Sequence, residues 1–167
     1  MGASGAGKSV LLRMIADLDP NEGEALLDGT PRHAMSGPAW RARVRYAAAE
    51  PGWWDEHVGA HFETLPHDDA ERLLLRRGIF DSLVRLCSTG ERQRLALLRT
   101  LAGGPDVLLL DEPTAALDPA STQAVEALLR ERQAHGLALL LVTHDMAQAS
   151  RFGDRVLQLS NGRLRNP

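Results

Sequence analysis

Residues 2–9 read Gly2-Ala3-Ser4-Gly5-Ala6-Gly7-Lys8-Ser9, a complete G-x-x-x-x-G-K-[ST] run. Few patterns constrain a fold as strongly, because this one is a loop that cradles phosphates between a strand and a helix. Its glycines let the backbone approach the phosphates without a Cβ in the way, and its N–H groups converge at a helix N-terminus. The lysine adds charge on the outer phosphates, and the serine hydroxyl is placed for a magnesium ion. Val10, Leu11, Met14, Ile15 and Leu18 follow at helical spacing, which predicts a helix over Lys8–Leu18.

The remaining elements alternate between the two periodicities. Glu24–Leu27 predicts a short strand with Asp28-Gly29 as a hairpin turn, Pro38–Val44 a short helix, and Arg43–Ala47 a strand. Asp69–Arg77 and Phe80–Leu86 predict two helices of a small lobe, and Glu91–Leu101 a stronger helix closed by Gly103-Gly104. Val107–Leu110 and Leu137–Val142 are unbroken apolar runs, the mark of strands buried on both faces. Asp118-Pro119 opens a helix to about Gln133. Arg155–Leu159 predicts a further strand, turned by Asn161-Gly162. Strands alternating with helices indicate an α/β fold with a mostly parallel sheet. The expected organisation is one domain over 1–167, with a core from 1–50 and 87–167 and an inserted helical lobe over about 51–86.

Composition narrows the partners. The 167 residues carry a net charge of -3, without the basic footprint of a nucleic-acid binder. A single cysteine, Cys87, leaves no internal disulfide and points to a reducing compartment. The longest apolar run, Leu137–Val142, is far short of a membrane span.

Val107–Leu110 ends in Asp111-Glu112, at the strand end where an open α/β sheet presents its ligand groups. Asp111 is placed to hold the magnesium, and Glu112 to take a proton from an attacking water. Three further segments decide the family. Cys87-Ser88-Thr89-Gly90-Glu91-Arg92-Gln93-Arg94 resembles the "LSGGE-[KR]-Q-R" signature of ATP-binding-cassette (ABC) ATPases. Asp111-Glu112-Pro113-Thr114-Ala115-Ala116-Leu117-Asp118 resembles the "DEPTSALD" run of that family. Leu141-Val142-Thr143-His144-Asp145 resembles its switch-histidine segment.

The resemblance implies a phosphate-loop NTPase fold and Mg-dependent ATP hydrolysis. It implies a head-to-tail homodimer in which Gly2, Ala3, Ser4, Gly5, Ala6, Gly7, Lys8, Ser9 and Val10 of one copy hold ATP against Ser88, Thr89, Gly90 and Glu91 of the other. His144 then bonds the γ-phosphate, Glu112 and His144 are catalytic, Ser9 and Asp111 hold Mg²⁺, and Asp118 couples the two sites. The implied partner is a transmembrane permease, with the chain cytoplasmic and peripheral on the inner face of the membrane; no nucleic acid is expected.

Three departures from the family pattern matter. The family pattern puts a β-rich segment, with a launching strand and an adenine-stacking aromatic, ahead of the phosphate loop; the expectation is an N-terminally truncated cassette with an unfilled sheet position and exposed strand edges. Ala49 stands where the family has a glutamine near the magnesium, which makes its neighbour Glu50 a candidate partial substitute and reduced hydrolysis an expectation. Cys87 and Thr89 replace the usual leucine and first glycine of the signature; Cys87 is read as a small core residue. Trp53-Trp54 is either core or a partner anchor, and His57 with His61 lacks a placed third metal ligand. A soluble ABC ATPase acting on nucleic acid or ribosomes, and a catalytically weak remnant, remain alternatives.

Overall fold

The computed structural model describes residues 5–166; the expected phosphate-loop residues Gly2, Ala3 and Ser4 lie outside them. Helix α1 spans Lys8–Ile15. It stops short of the predicted Leu18 because Asp17 adopts φ 59°. The Leu18 N–H then reaches the Arg13 carbonyl at 2.9 Å and the Asp17 N–H that of Met14 at 3.1 Å, a Schellman closure with aspartate in the usual glycine place. Strands β1 (Leu26–Leu27) and β2 (Thr30–Pro31) form a hairpin on Asp28-Gly29, both at positive φ as a primed two-residue turn requires. Helix α2 (Gly37–Arg43) is capped by the Ser36 hydroxyl, and β3 covers Val44–Ala47.

Residues 51–86 are less helical than their sequence suggests. Only α3, His67–Arg72, is a true helix. It closes in a second Schellman turn, with Leu74 at φ 56° and the Leu75 N–H on the Ala70 carbonyl at 3.0 Å. The predicted Phe80–Leu86 helix is instead two single 3₁₀ turns, Ile79–Asp81 and Val84–Leu86. Between them Leu83 bridges back to His57, and this pairing competes with continuous helix.

Helix α4 (Thr89–Leu101), strand β4 (Val107–Asp111), helix α5 (Pro119–Ala134), strand β5 (Ala138–Val142) and helix α6 (Met146–Phe152) complete the core. Strands β3, β4 and β5 form one parallel sheet in that order, with Tyr46 opposite Leu109 and Leu109 opposite Leu140. Side chains alternate across it. Val44, Leu109 and Val142 pack with Leu12, Ala16 and Trp40 on the α1 side. Leu108 and Leu110 pack with Leu95, Leu98, Val125 and Leu128 on the other.

Two strand predictions need correction. Strand β5 is not buried on both faces; exposed and half-buried residues alternate along it until Val142, and among the described residues it pairs only with β4. Its other side meets an apolar cavity of about 310 Å³, lined by Leu11, Ile15, Leu141, Phe152, Leu159 and Leu164 among others. The strand predicted over Arg155–Leu159 is β6, Gln158–Ser160, and it pairs antiparallel with β7 (Arg163–Arg165) rather than joining the main sheet.

Candidate active site

The described part of the phosphate loop enters α1 through two glycines in the left-handed region, Gly5 at φ 77° and Gly7 at φ 90°. Any other residue is strained there. Among the described residues, a Cβ on either would meet nothing within 4 Å, so the requirement is conformational. Gly7 is also the N-cap of α1 and, as glycine, supplies no side-chain cap; the first turn holds no acidic residue. Helices α2, α4, α5 and α6 each have a side-chain cap. The start of α1 therefore presents a positive dipole end to whatever occupies the space before it.

That space is a cleft of about 430 Å³ lined by Gly5, Gly7, Lys8, Ser9, Val10, Asp111, Glu112 and His144. Parallel pairing of β4 with β5 brings Asp111 level with Val142, so the carboxylates and the histidine leave the sheet at the same end. Asp111 is buried, at 5% exposure. One of its oxygens, Oδ2, accepts a hydrogen bond from the Tyr46 hydroxyl at 3.1 Å. Burial, with the neighbouring Asp111 charge, pushes the Tyr46 phenol up to about 12, so it stays a donor at neutral pH. Glu112 sits at φ 48°, and its Oε2 lies 3.2 Å from His144 Nδ1.

Other predicted residues lie elsewhere in the chain. Ser88, Thr89, Gly90 and Glu91 do not line the cleft. They start α4, where Ser88 Oγ accepts the Glu91 N–H at 3.1 Å and Glu91 Oε2 accepts the Ser88 N–H at 2.8 Å. This capping box fills the helix end from within and brings a carboxylate to it. Asp118 caps α5, and the Ser121 N–H and hydroxyl donate to it at 3.0 and 2.7 Å. These bonds hold its carboxyl below the ordinary range. Glu50 is exposed in the loop after β3 and does not border the cleft. Cys87 is buried, as a core residue should be. Trp54 is 71% exposed, with the Arg99 guanidinium 4.6 Å from its ring and 4.9 Å from that of Trp53. No cluster of three metal-ligating side chains occurs among the described residues. Sequence reasoning missed Tyr46; its one signal was its place on β3, on the same face as Asp111.

The sequence matches the family model for ABC transporters over residues 1–115. The chain belongs to the ABC transporter family. It is 42% identical to an aliphatic sulfonates import ATP-binding protein of Paracoccus denitrificans, over 97% of this chain and 65% of that one. The fold matches a bacterial Atm1-family ABC exporter with ATP bound, at TM-score 0.85 and 27% identity over 99% of this chain and 32% of that one. It also matches a dimeric ATP-binding cassette in a post-hydrolysis state with ADP and phosphate, at TM-score 0.83 and 24% identity over 99% and 83% of the two chains. This ABC-family chain spans 51% to 67% of the length of the first curated relatives it matches. Among its described residues no helix is long and apolar enough to cross a membrane.

Proposed function

We propose that the chain binds and hydrolyses ATP and that this powers a membrane transporter. The observation carrying the proposal is the convergence of Lys8, Ser9, Asp111, Glu112 and His144 on one cleft in front of α1. The fit to a polyphosphate rests on the left-handed glycines, the cleft they border and a helix start whose N-cap is glycine. Backbone N–H groups and Lys8 bind the phosphates, with Gly2, Ala3 and Ser4 completing the loop. Ser9 and Asp111 would hold a magnesium ion, which when bound supplies neutralising charge on the β- and γ-phosphates. Glu112 takes the proton of the attacking water, and His144 orients the γ-phosphate end.

Ser88, Thr89 and Gly90 lie outside this cleft, so their role requires a second copy of the chain facing it. Head-to-tail pairing, with Asp118 near the junction, is the assembly proposed, and a permease on the membrane's inner face is the proposed partner. The relative named for sulfonate import supports a transport reading over one on nucleic acid. Residues 51–86 form the smaller lobe of the proposed division.

A fluorescent ATP analogue titrated into the wild type and Lys8→Ala, with and without magnesium, tests the site. Losing one charge-assisted contact costs roughly 1.5–3 kcal/mol, so Lys8→Ala should bind about tenfold more weakly or worse. Equal affinity would overturn the proposal.

A further inference from the structure

The loop that carries Glu112 is held by helix α4, the helix that begins at the signature residues. Gln93 is buried, at 8% exposure. Its side-chain Nε2 donates to the Glu112 carbonyl at 2.9 Å, and its Oε1 accepts the Ala116 N–H at 3.4 Å. One amide thus spans both ends of the turn 112–116. Gly90 lies one turn earlier on the same face of α4. A Cβ there would sit 3.3 Å from the Ala116 carbonyl oxygen and 3.3 Å from Leu117 Cδ2, so glycine permits this close approach. From the other side, the Glu112 N–H donates to the Val142 carbonyl at 2.9 Å.

Glu112 itself is held at φ 48°, a conformation that non-glycine residues adopt only when their surroundings enforce it. Relaxing that angle would redirect the side chain. The hydrogen bonds from Gln93 and to Val142 fix the peptide on both sides of it.

We infer that Gln93 is a positioning residue: it braces the Glu112 backbone from α4, so the signature end of that helix and the Glu112 carboxylate move as one body. The inference rests on the proposed role of Glu112 as the base. It gives a physical route by which a partner copy engaging Ser88–Gly90 would act on proton abstraction in the same chain.

The test is Gln93→Met, which keeps side-chain bulk and removes both polar atoms, measured in the full chain alone and combined with Glu112→Gln. Turnover at saturating ATP should fall at least about tenfold, with KM and nucleotide affinity within about twofold, while Gln93→Met adds less than about twofold loss in the Glu112→Gln background. Hydrogen exchange, which needs no turnover, should show the Ala116 amide opening at least about tenfold faster, with β4 amides unchanged. Should Gln93→Met fold poorly, Gln93→Glu keeps the shape and the acceptor for Ala116 but loses the donor to Glu112. It should then lower turnover while leaving Ala116 protected. Unchanged exchange at Ala116 in the Met variant, or an equal loss with and without the Glu112 carboxylate, overturns the brace. Undiminished turnover in Glu112→Gln alone overturns instead the reading of Glu112 as base.

Discussion

Glu112 Oε2 and His144 Nδ1 stand 3.2 Å apart at the mouth of the cleft, although 32 residues separate them in the chain. The contact exists because β4 and β5 pair in parallel and end level. Each group is therefore held where the other can orient it. Glu112→Gln should lower turnover by roughly 10²-fold or more, the range for losing a general base, and leave nucleotide binding intact. His144→Ala should also lower kcat more than it raises KM. Steady-state ATPase kinetics beside analogue binding check both; a pure KM effect in either variant contradicts the assigned role.

Tyr46 ties down Asp111 Oδ2 and is a polar side chain that β3 delivers to the cleft side of the sheet. Tyr46→Phe keeps the ring and its packing but frees the carboxylate to rotate. The expected result is a several-fold rise in the magnesium concentration needed for half-maximal nucleotide binding, with little change in nucleotide affinity at saturating magnesium. Mn²⁺ electron paramagnetic resonance provides a readout independent of turnover.

The α/β class and the residues that meet in the cleft were legible in the sequence; the ends and surroundings of single elements were less so. Lys8 opens a helix, Asp111 and Glu112 stand at the end of a strand and His144 just beyond another, places that short motifs mark in the sequence. Their convergence then follows from parallel pairing. Leu137–Val142 misled because an apolar run looks the same in a strand buried on both faces and in one bordering an apolar cavity. The ends of α1 and α3 were missed because Asp17 and Leu74 occupy the left-handed position normally marked by glycine. Gln93 is legible only as a letter of the signature: its two bonds run to backbone atoms 19 and 23 residues away.

Glu126 is nearly buried, its side chain 7% exposed, and it joins α5 to α6. Arg151 donates to it through Nη2 at 2.6 Å and Nε at 3.0 Å, and Gln148 at 3.3 Å. Burial alone would raise its pKa, but the bonds from Arg151 and Gln148 outweigh it and leave it below the ordinary 4.5. A carboxylate with a lowered folded pKa stabilises fully above its unfolded value and loses that contribution as pH falls through the folded one. Glu126→Gln should therefore be destabilised at neutral pH, by roughly 1.5–3 kcal/mol. The gap to wild type should close as pH drops below 4.5. Thermal melts across pH 3–7 provide the measurement; a gap that widens in acid contradicts the sign.

Arg94 joins three parts of the chain from a nearly buried position on α4, at 8% exposure. Its Nη1 donates to the Leu73 carbonyl at 2.7 Å, the last turn of helix α3, and to Ser121 Oγ at 2.9 Å in the first turn of α5. The Ser121 hydroxyl in turn donates a hydrogen bond to Asp118 Oδ2 at 2.7 Å. One guanidinium thus links the end of α3, helix α4 and the cap of α5. Lysine keeps the charge but lacks the planar fork that reaches the Leu73 and Gly90 carbonyls and Ser121 together. Arg94→Lys should lose about 1–3 kcal/mol by leaving a buried acceptor unpaired, a fall in Tm of several degrees for a chain of this size. Hydrogen exchange should rise first in α3 and at the start of α5, while β4 stays protected. Loss confined to α4 would mean that Arg94 serves its own helix and not the junction.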